Sequence, residues 1–373
     1  MTELREEELI YDWNGRPQVP PPPRLIDHTL ACARLSPRIT CPTLELQRTL
    51  LQHLKALHLD DVMLGSWTDS EVRQLAPDCL PLELQAWVES PAGRSPDSPV
   101  GAYLSHRLGK LQARLARHAG PRVVVVQDAL RKTPDELVTL LRTLAPLGIS
   151  GLCLSDDRGR ATPEGTRQLV EFLLEACQRL GLGLELEWSG RNDRGLALAN
   201  ALAAWRAGAS VLHGAFFSLG EGCGLVATEQ LLVNLHLAGS WSRELSHLGS
   251  VTSQLAEALG LEIYPNAPIL GADAFRTGTG VHAAAIMKAH RKGHDWLADL
   301  IYSGVPAARF GFHQIIEVGP MAGASNVQHW LSRQGLQADS ELVQALLQRA
   351  KSSARVLRDD ELWEVVRQCG ASA

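Results

Sequence analysis

Trp188-Ser189-Gly190-Arg191-Asn192-Asp193-Arg194-Gly195 is the stretch of this chain with the densest chemical content. It follows an alternating run, Leu182 to Trp188, and precedes a helical run, Leu196 to Ala209. The arginine fork can grip an anion at two points, and Asn192, Asp193 and Gly195 suit the free N–H groups of a helix start. Cys32, Cys153 and Cys223 fall near other strand ends, where a thiol can serve as soft-metal ligand or nucleophile. The plainer reading of all three is a buried, inert thiol. His28 and His213 stand beside or within strands and read as hydrogen-bonded structural residues rather than ligands.

These residues have to be positioned by strands and helices in alternation. Leu25 to Leu30, Asp61 to Gly65, Leu82 to Val88, Val123 to Gln127, Gly151 to Asp156, Leu182 to Trp188 and Val211 to Phe216 read as short buried strands. Between them, Thr43 to Leu59, Ser70 to Leu75, Tyr103 to His118, Pro134 to Leu144, and a run from Thr162-Pro163 to about Gly181 read as helices. An eighth strand falls on Val100 to Leu104, in a unit shortened after the irregular segment Glu89 to Pro99. So many parallel crossovers favour closure, so the expected class is α/β: a TIM (β/α)8-type barrel with one shortened unit.

Beyond Glu221 the rhythm changes to helices alone: Thr228–Leu237, Val251–Leu259, Ala283–His290, Trp296–Tyr302, Ala324–Arg333, Ser340–Lys351 and Asp359–Gln368. The expected domains are an N-terminal arm (1–23, with the proline cluster Pro20 to Pro23), a barrel (24–238) and a mostly helical C-terminal annex (239–373). The 373 residues, 45% of them hydrophobic, suffice for that plan. A formal charge of −5 with acids and bases interleaved leaves no basic stripe for nucleic acid and no cationic amphipathic face for a membrane. The seven scattered cysteines form no Cys-x-x-Cys pair and read as reduced thiols, and Met1 to Asp12 lacks a signal-peptide layout, so the expected location is the cytoplasm.

Six segments, in order, give the chain a resemblance. They are Asp27-His28-Thr29-Leu30, Gln127-Asp128-Ala129-Leu130-Arg131, Asp156-Asp157-Arg158-Gly159, Asn192-Asp193-Arg194-Gly195-Leu196-Ala197, Gly220-Glu221, and Gly280-Val281-His282-Ala283. Together they resemble the DRE-TIM metallolyases of the 2-isopropylmalate and homocitrate synthase type, over roughly Arg24 to Leu331. The resemblance implies a divalent metal at the barrel mouth that polarises a 2-oxo acid for attack by an acyl-CoA enolate.

The same resemblance marks what has changed. Where such enzymes carry the Arg-Asp-Gly of the first strand, this chain has Ala31, Cys32 and Ala33, and Met63 replaces a glutamate. The two metal-binding histidines fall on Ser189 and Arg191, and the asparagine ligand on Leu225. Gln127 replaces another glutamate, while Asp128 and Arg131 remain. With Cys32, Ser189, Arg191 and Leu225 at the ligand positions, no cofactor is expected and the family's divalent cation is expected to be lost; Arg191 would repel it.

By resemblance, Arg131 would hold a substrate carboxylate, its plainer role being an ion pair with Asp128 or Asp157, and His282 would be an acid–base residue donated by a neighbouring subunit. The leading expectation is a non-catalytic homologue acting as partner or regulator, a homodimer or a heterodimer with an active synthase paralogue. One alternative is a metal-free enzyme in which Arg131, Arg191 and Asn192 hold a small anionic ligand while His282, Cys32 or Asp128 reacts. The other is an active acyltransferase of the isopropylmalate or homocitrate synthase type. No counterpart of the regulatory domain of leucine-inhibited synthases is expected after the annex.

Overall fold

The computed structural model describes residues 19–37, 39, 43–59, 61–64, 85–89, 101–105 and 122–370, with only the backbone at 44, 85–89 and 101–105. Eight parallel strands run β1 (Arg24–Asp27), β2 (Asp61–Met63), β3 (Gln85–Glu89), β4 (Gly101–Ser105), β5 (Arg122–Val126), β6 (Gly151–Asp156), β7 (Glu185–Gly190) and β8 (Val211–Gly214). Each pairs with its sequence neighbours, and β8 returns to β1 in the register Arg24↔Val211 to Asp27↔Gly214, closing the ring. β4 lies where an eighth strand is least distinct in the sequence, and it begins at Gly101, only twelve positions after β3 ends at Glu89. The helix expected from Tyr103 begins inside this strand; Tyr103 to Ser105 pair with Val123 to Val125 instead. The rest of that helix and the one expected at Ser70 to Leu75 lie outside the described residues.

Burial explains why these runs are strands. β6 is buried at every residue, as a strand must be when helices cover one face and the barrel interior the other. Ile26, Met63, Val123, Cys153 and Val211, from five strands around the ring, meet in one cluster, which identifies the inward set. Arg24 ties the bottom of the barrel together, its guanidinium 3.4 Å from Asp61 and 3.3 Å from Glu185. Local signals set the helix starts. Thr133 accepts from Glu136 N at 3.2 Å while its own N–H donates to the Glu136 carboxylate at 2.7 Å, a capping box ahead of Pro134–Leu144. Thr162 caps Pro163–Arg179 through Gly165 N at 3.2 Å.

The first strand is shorter than its apolar run suggests. Asp27 accepts from Thr29 N at 2.9 Å, which turns the chain into a helix at Thr29–Leu35 directly after β1. Two compact units make up the chain, one spanning Arg16–Glu262 and the other containing Ile263–Ala373. The division falls after Glu262 rather than after Ala238, because helix Leu248–Leu259 packs on Leu44–Ala56 and buries Leu248, Leu255 and Leu259. The proline cluster likewise goes with the barrel: Trp205 Nε1 donates to Pro21 O at 2.9 Å and Ser240 Oγ to Pro20 O at 3.4 Å.

The C-terminal unit is mostly helical. Helices Ala324–Arg333, Ser340–Lys351 and Asp359–Gln368 share a core of Val327, Leu331, Leu346 and Val366, and Trp330 Nε1 donates to Asp359 at 2.8 Å. A second cluster joins Ala283, Ile286 and Ala289 of helix Gly280–Arg291 to Ala298 and Ile316, beside a short parallel pair, β9 (Arg276–Thr277) and β10 (Ile315–Ile316).

Candidate active site at the barrel mouth

The loops after β6, β7 and β8 are locked to one another by short polar contacts. The Asp156 carboxylate accepts from Arg160 N at 3.0 Å and Ala161 N at 2.7 Å, folding the loop after β6. Arg191 N donates to Asp156 O at 3.2 Å, and Asn192 N to Gly224 O at 2.9 Å, where Arg191 and Leu225 form an antiparallel bridge. Gly159 (φ +58°) and Gly222 (φ +65°) hold left-handed backbone: a Cβ at the first would press on Asp193, and one at the second would push the Arg191 guanidinium aside.

Arg191 is gripped from one side. Its Nε lies 3.0 Å and its Nη2 3.3 Å from the two oxygens of Asp193, with Glu221 3.8 Å from Nη1. Its bridge partner Leu225 offers no ligand atom. Cys32 is buried in the helix after β1, close to Gly220, and Ser189 is half-buried near the end of β7. A hard divalent cation needs several oxygen or nitrogen donors aimed at one point. A thiol, a hydroxyl, an aliphatic chain and a guanidinium at the four expected ligand positions do not fit that requirement.

The other anticipated site residues are dispersed. Asp128, in the left-handed region at φ 48°, donates its N–H to Asp157 at 2.8 Å, and its carboxylate faces Arg158 at 3.7 Å. Arg158 thus fills the ion-pair role anticipated for Arg131, whose side chain stands exposed. Asn192 Oδ1 accepts from Ala197 N at 3.2 Å, holding the start of helix Ala197–Arg206. His282 belongs to the C-terminal unit, stacked on Tyr302 with ring centroids 3.6 Å apart and its Nδ1 3.4 Å from Thr277 Oγ1.

Below the mouth the buried interior is polar in one place. His28 Nε2 and His213 Nδ1 are 2.8 Å apart, and His213 Nε2 lies 2.9 Å from Glu187 Oε2 and 3.7 Å from Cys153 Sγ. All four residues are buried. Burial, and then the neighbouring His213, push the His28 pKa well below the usual imidazole value, so this ring is neutral. Beside them Asp27 accepts from Thr228 Oγ1 at 2.7 Å, and Glu229 accepts from Phe217 N at 3.1 Å. Burial raises Asp27 to about 6 and Glu229 to about 7, overriding the hydrogen bonds that favour the carboxylates.

The sequence does pair His28 and His213 with structural roles, and both rings are hydrogen-bonded. Glu187 carries little signal in the sequence beyond its parity with Ser189 two residues on, a parity it also shares with Glu185.

Known proteins share this barrel. The HMGL-like family profile matches residues 110–258. Over those residues the chain is similar to HMGL-like domains. It is also a distant relative of homocitrate synthases: 29% identical over 243 residues to that of Pyrococcus horikoshii, covering 65% of this chain and 63% of the relative. To the homocitrate synthase of Saccharolobus solfataricus it is 29% identical over 258 residues, covering 68% of this chain but only 53% of the relative. Among solved structures, the hydroxymethylglutaryl-CoA lyase of Pseudomonas aeruginosa shares the fold, with a TM-score of 0.53 at 18% identity over 65% of this chain and 95% of that one. Among the described residues, no helix is long and apolar enough to cross a membrane.

Proposed function

We propose that this chain is a homocitrate synthase homologue whose barrel mouth has given up metal-dependent condensation of an acyl-CoA with a 2-oxo acid. It acts instead as a non-catalytic partner or regulatory subunit, as a homodimer or paired with an active synthase paralogue. One observation carries the reading: a guanidinium, fixed by Asp193 and backed by a glycine that leaves it room, occupies a position where the reaction would need a metal-binding imidazole. A Lewis acid and an enolate-stabilising arginine each supply several kcal/mol of transition-state stabilisation, and their joint loss removes useful turnover. The metal-free alternative is weakened by the same grip, since Asp193 and Glu221 already pair with Arg191.

The test is release of CoA thiol from acetyl-CoA with a panel of 2-oxo acids and added Mg2+, Mn2+ or Zn2+. Background release is expected; release that requires both substrates and a metal overturns the proposal. Light scattering of the chain alone and mixed with a synthase paralogue reads the partnership, and a chain that stays monomeric in both overturns that half.

A further inference from the structure

We propose that Cys153, Glu187 and His213 form a site for a borderline-soft divalent metal, zinc in the first instance, inside the barrel and one inward layer below the mouth. Cys153 and Glu187 are register partners on β6 and β7, and each precedes a mouth residue, Ser155 or Ser189, by two positions, about 7 Å along the strand. The site is thus distinct from the mouth positions discussed above, and it stands whether or not the mouth is active.

The donor atoms are already gathered. One atom from each of the three residues lies within 4.8 Å of the others, and His213 Nε2 faces both remaining donors, at 2.9 Å and 3.7 Å. A tetrahedral zinc with bonds of about 2.0–2.3 Å holds its donors roughly 3.3–3.6 Å apart; the two His213 separations, 2.9 Å and 3.7 Å, are within a few tenths of an ångström of that, and the third pair lies within 4.8 Å. A thiolate and a carboxylate balance a divalent charge, which matters where exposure is 2% or less at all three residues. The sulfur, nitrogen and oxygen set favours zinc over magnesium or calcium, which take oxygen ligands.

His28 completes the arrangement as a positioning residue. A metal-bound His213 turns its Nδ1–H outward to an acceptor, and the ring nitrogen Nε2 of His28 stands 2.8 Å away. Binding then releases one proton, that of the Cys153 thiol. The His213 and His28 protons shift between ring nitrogens without being lost, and Glu187 binds as the carboxylate. Three protein donors leave the fourth position to a non-protein ligand.

The experiment uses the untagged full-length chain, stripped with a chelator and titrated with Co2+ and then Zn2+. The expected result is about one metal per chain, a thiolate-to-cobalt charge-transfer band, and its bleaching by Zn2+. Cys153→Ser should abolish the band while Cys32→Ser keeps it. His28→Gln should keep the band and weaken affinity by about 10- to 100-fold. A folded wild-type chain that gives no thiolate band overturns the proposal without recourse to variants. So does a band that survives Cys153→Ser. Neither result depends on CoA release, so failure here and failure of the functional reading are separable.

Discussion

The barrel mouth and the layer beneath it use the same residue types to opposite ends. At the mouth, charges pair within a loop or between loops while still reached by water: Arg191 with Asp193, Arg158 with Asp128. One layer down, His28, His213 and Glu187 are linked ring to ring to carboxylate with almost no exposure. Exposed pairs contribute little because water competes for each partner. Buried ones are costly to break, because removing one member strands another in a medium that cannot solvate it. Substitution at the mouth is therefore tolerated at small cost to the fold, while the interior is held by its own energetics. That is how a barrel can change its rim and keep its frame.

The contrast can be broken or sharpened by measurement. The largest effect is expected from His213→Ala, which takes the ring away from Glu187 and His28; urea unfolding should show a loss of about 3 kcal/mol. A loss under about 0.5 kcal/mol would erase the distinction between layers.

Next comes pH. Asp27 and Glu229 have folded-state pKa values, about 6 and about 7, above their ordinary 3.8 and 4.5, so the folded chain binds more protons than the unfolded one. Their contribution is complete below about pH 4 and declines as pH rises to about 7. Glu229→Gln should flatten that decline, and an unchanged slope in denaturant midpoints across the window would refute it.

Arg191→Ala should cost no more than about 1 kcal/mol, since its guanidinium is 25% and Asp193 36% exposed. Arg158→Ala, with an arginine 53% exposed and 3.7 Å from Asp128, should leave the unfolding midpoint within error. Either variant losing as much as His213→Ala would show the mouth to be as tightly held as the interior.

Much of the barrel is legible in the sequence because its signals are local. Pro134–Leu144 and Ser340–Lys351 begin and end where cap residues and leucine spacing put them. The end of β1 is not legible in that way. Asp27-His28-Thr29-Leu30 reads as a continued strand, and only the carboxylate reaching Thr29 N shows the turn. β4 is indistinct in the sequence because it follows an irregular, proline-rich stretch, and pairing on both sides is what makes it a strand. The substituted mouth positions could be read by resemblance, residue by residue. The Cys153, Glu187 and His213 group could not, because it is assembled across three strands and 60 residues of chain, and hydropathy carries no mark of which polar residues will meet.

The seam between β1 and β8 has a consequence for the newborn chain. Residues 24–27 leave the ribosome nearly 190 residues before their partners at 211–214, so the first strand must wait with one edge unpaired while the other seven are made. Closure is the longest-range pairing of the ring, the kind of contact that slows folding. Until then Asp27 and His28 also lack Thr228 and His213, so the polar interior is completed by the same event that shuts the barrel.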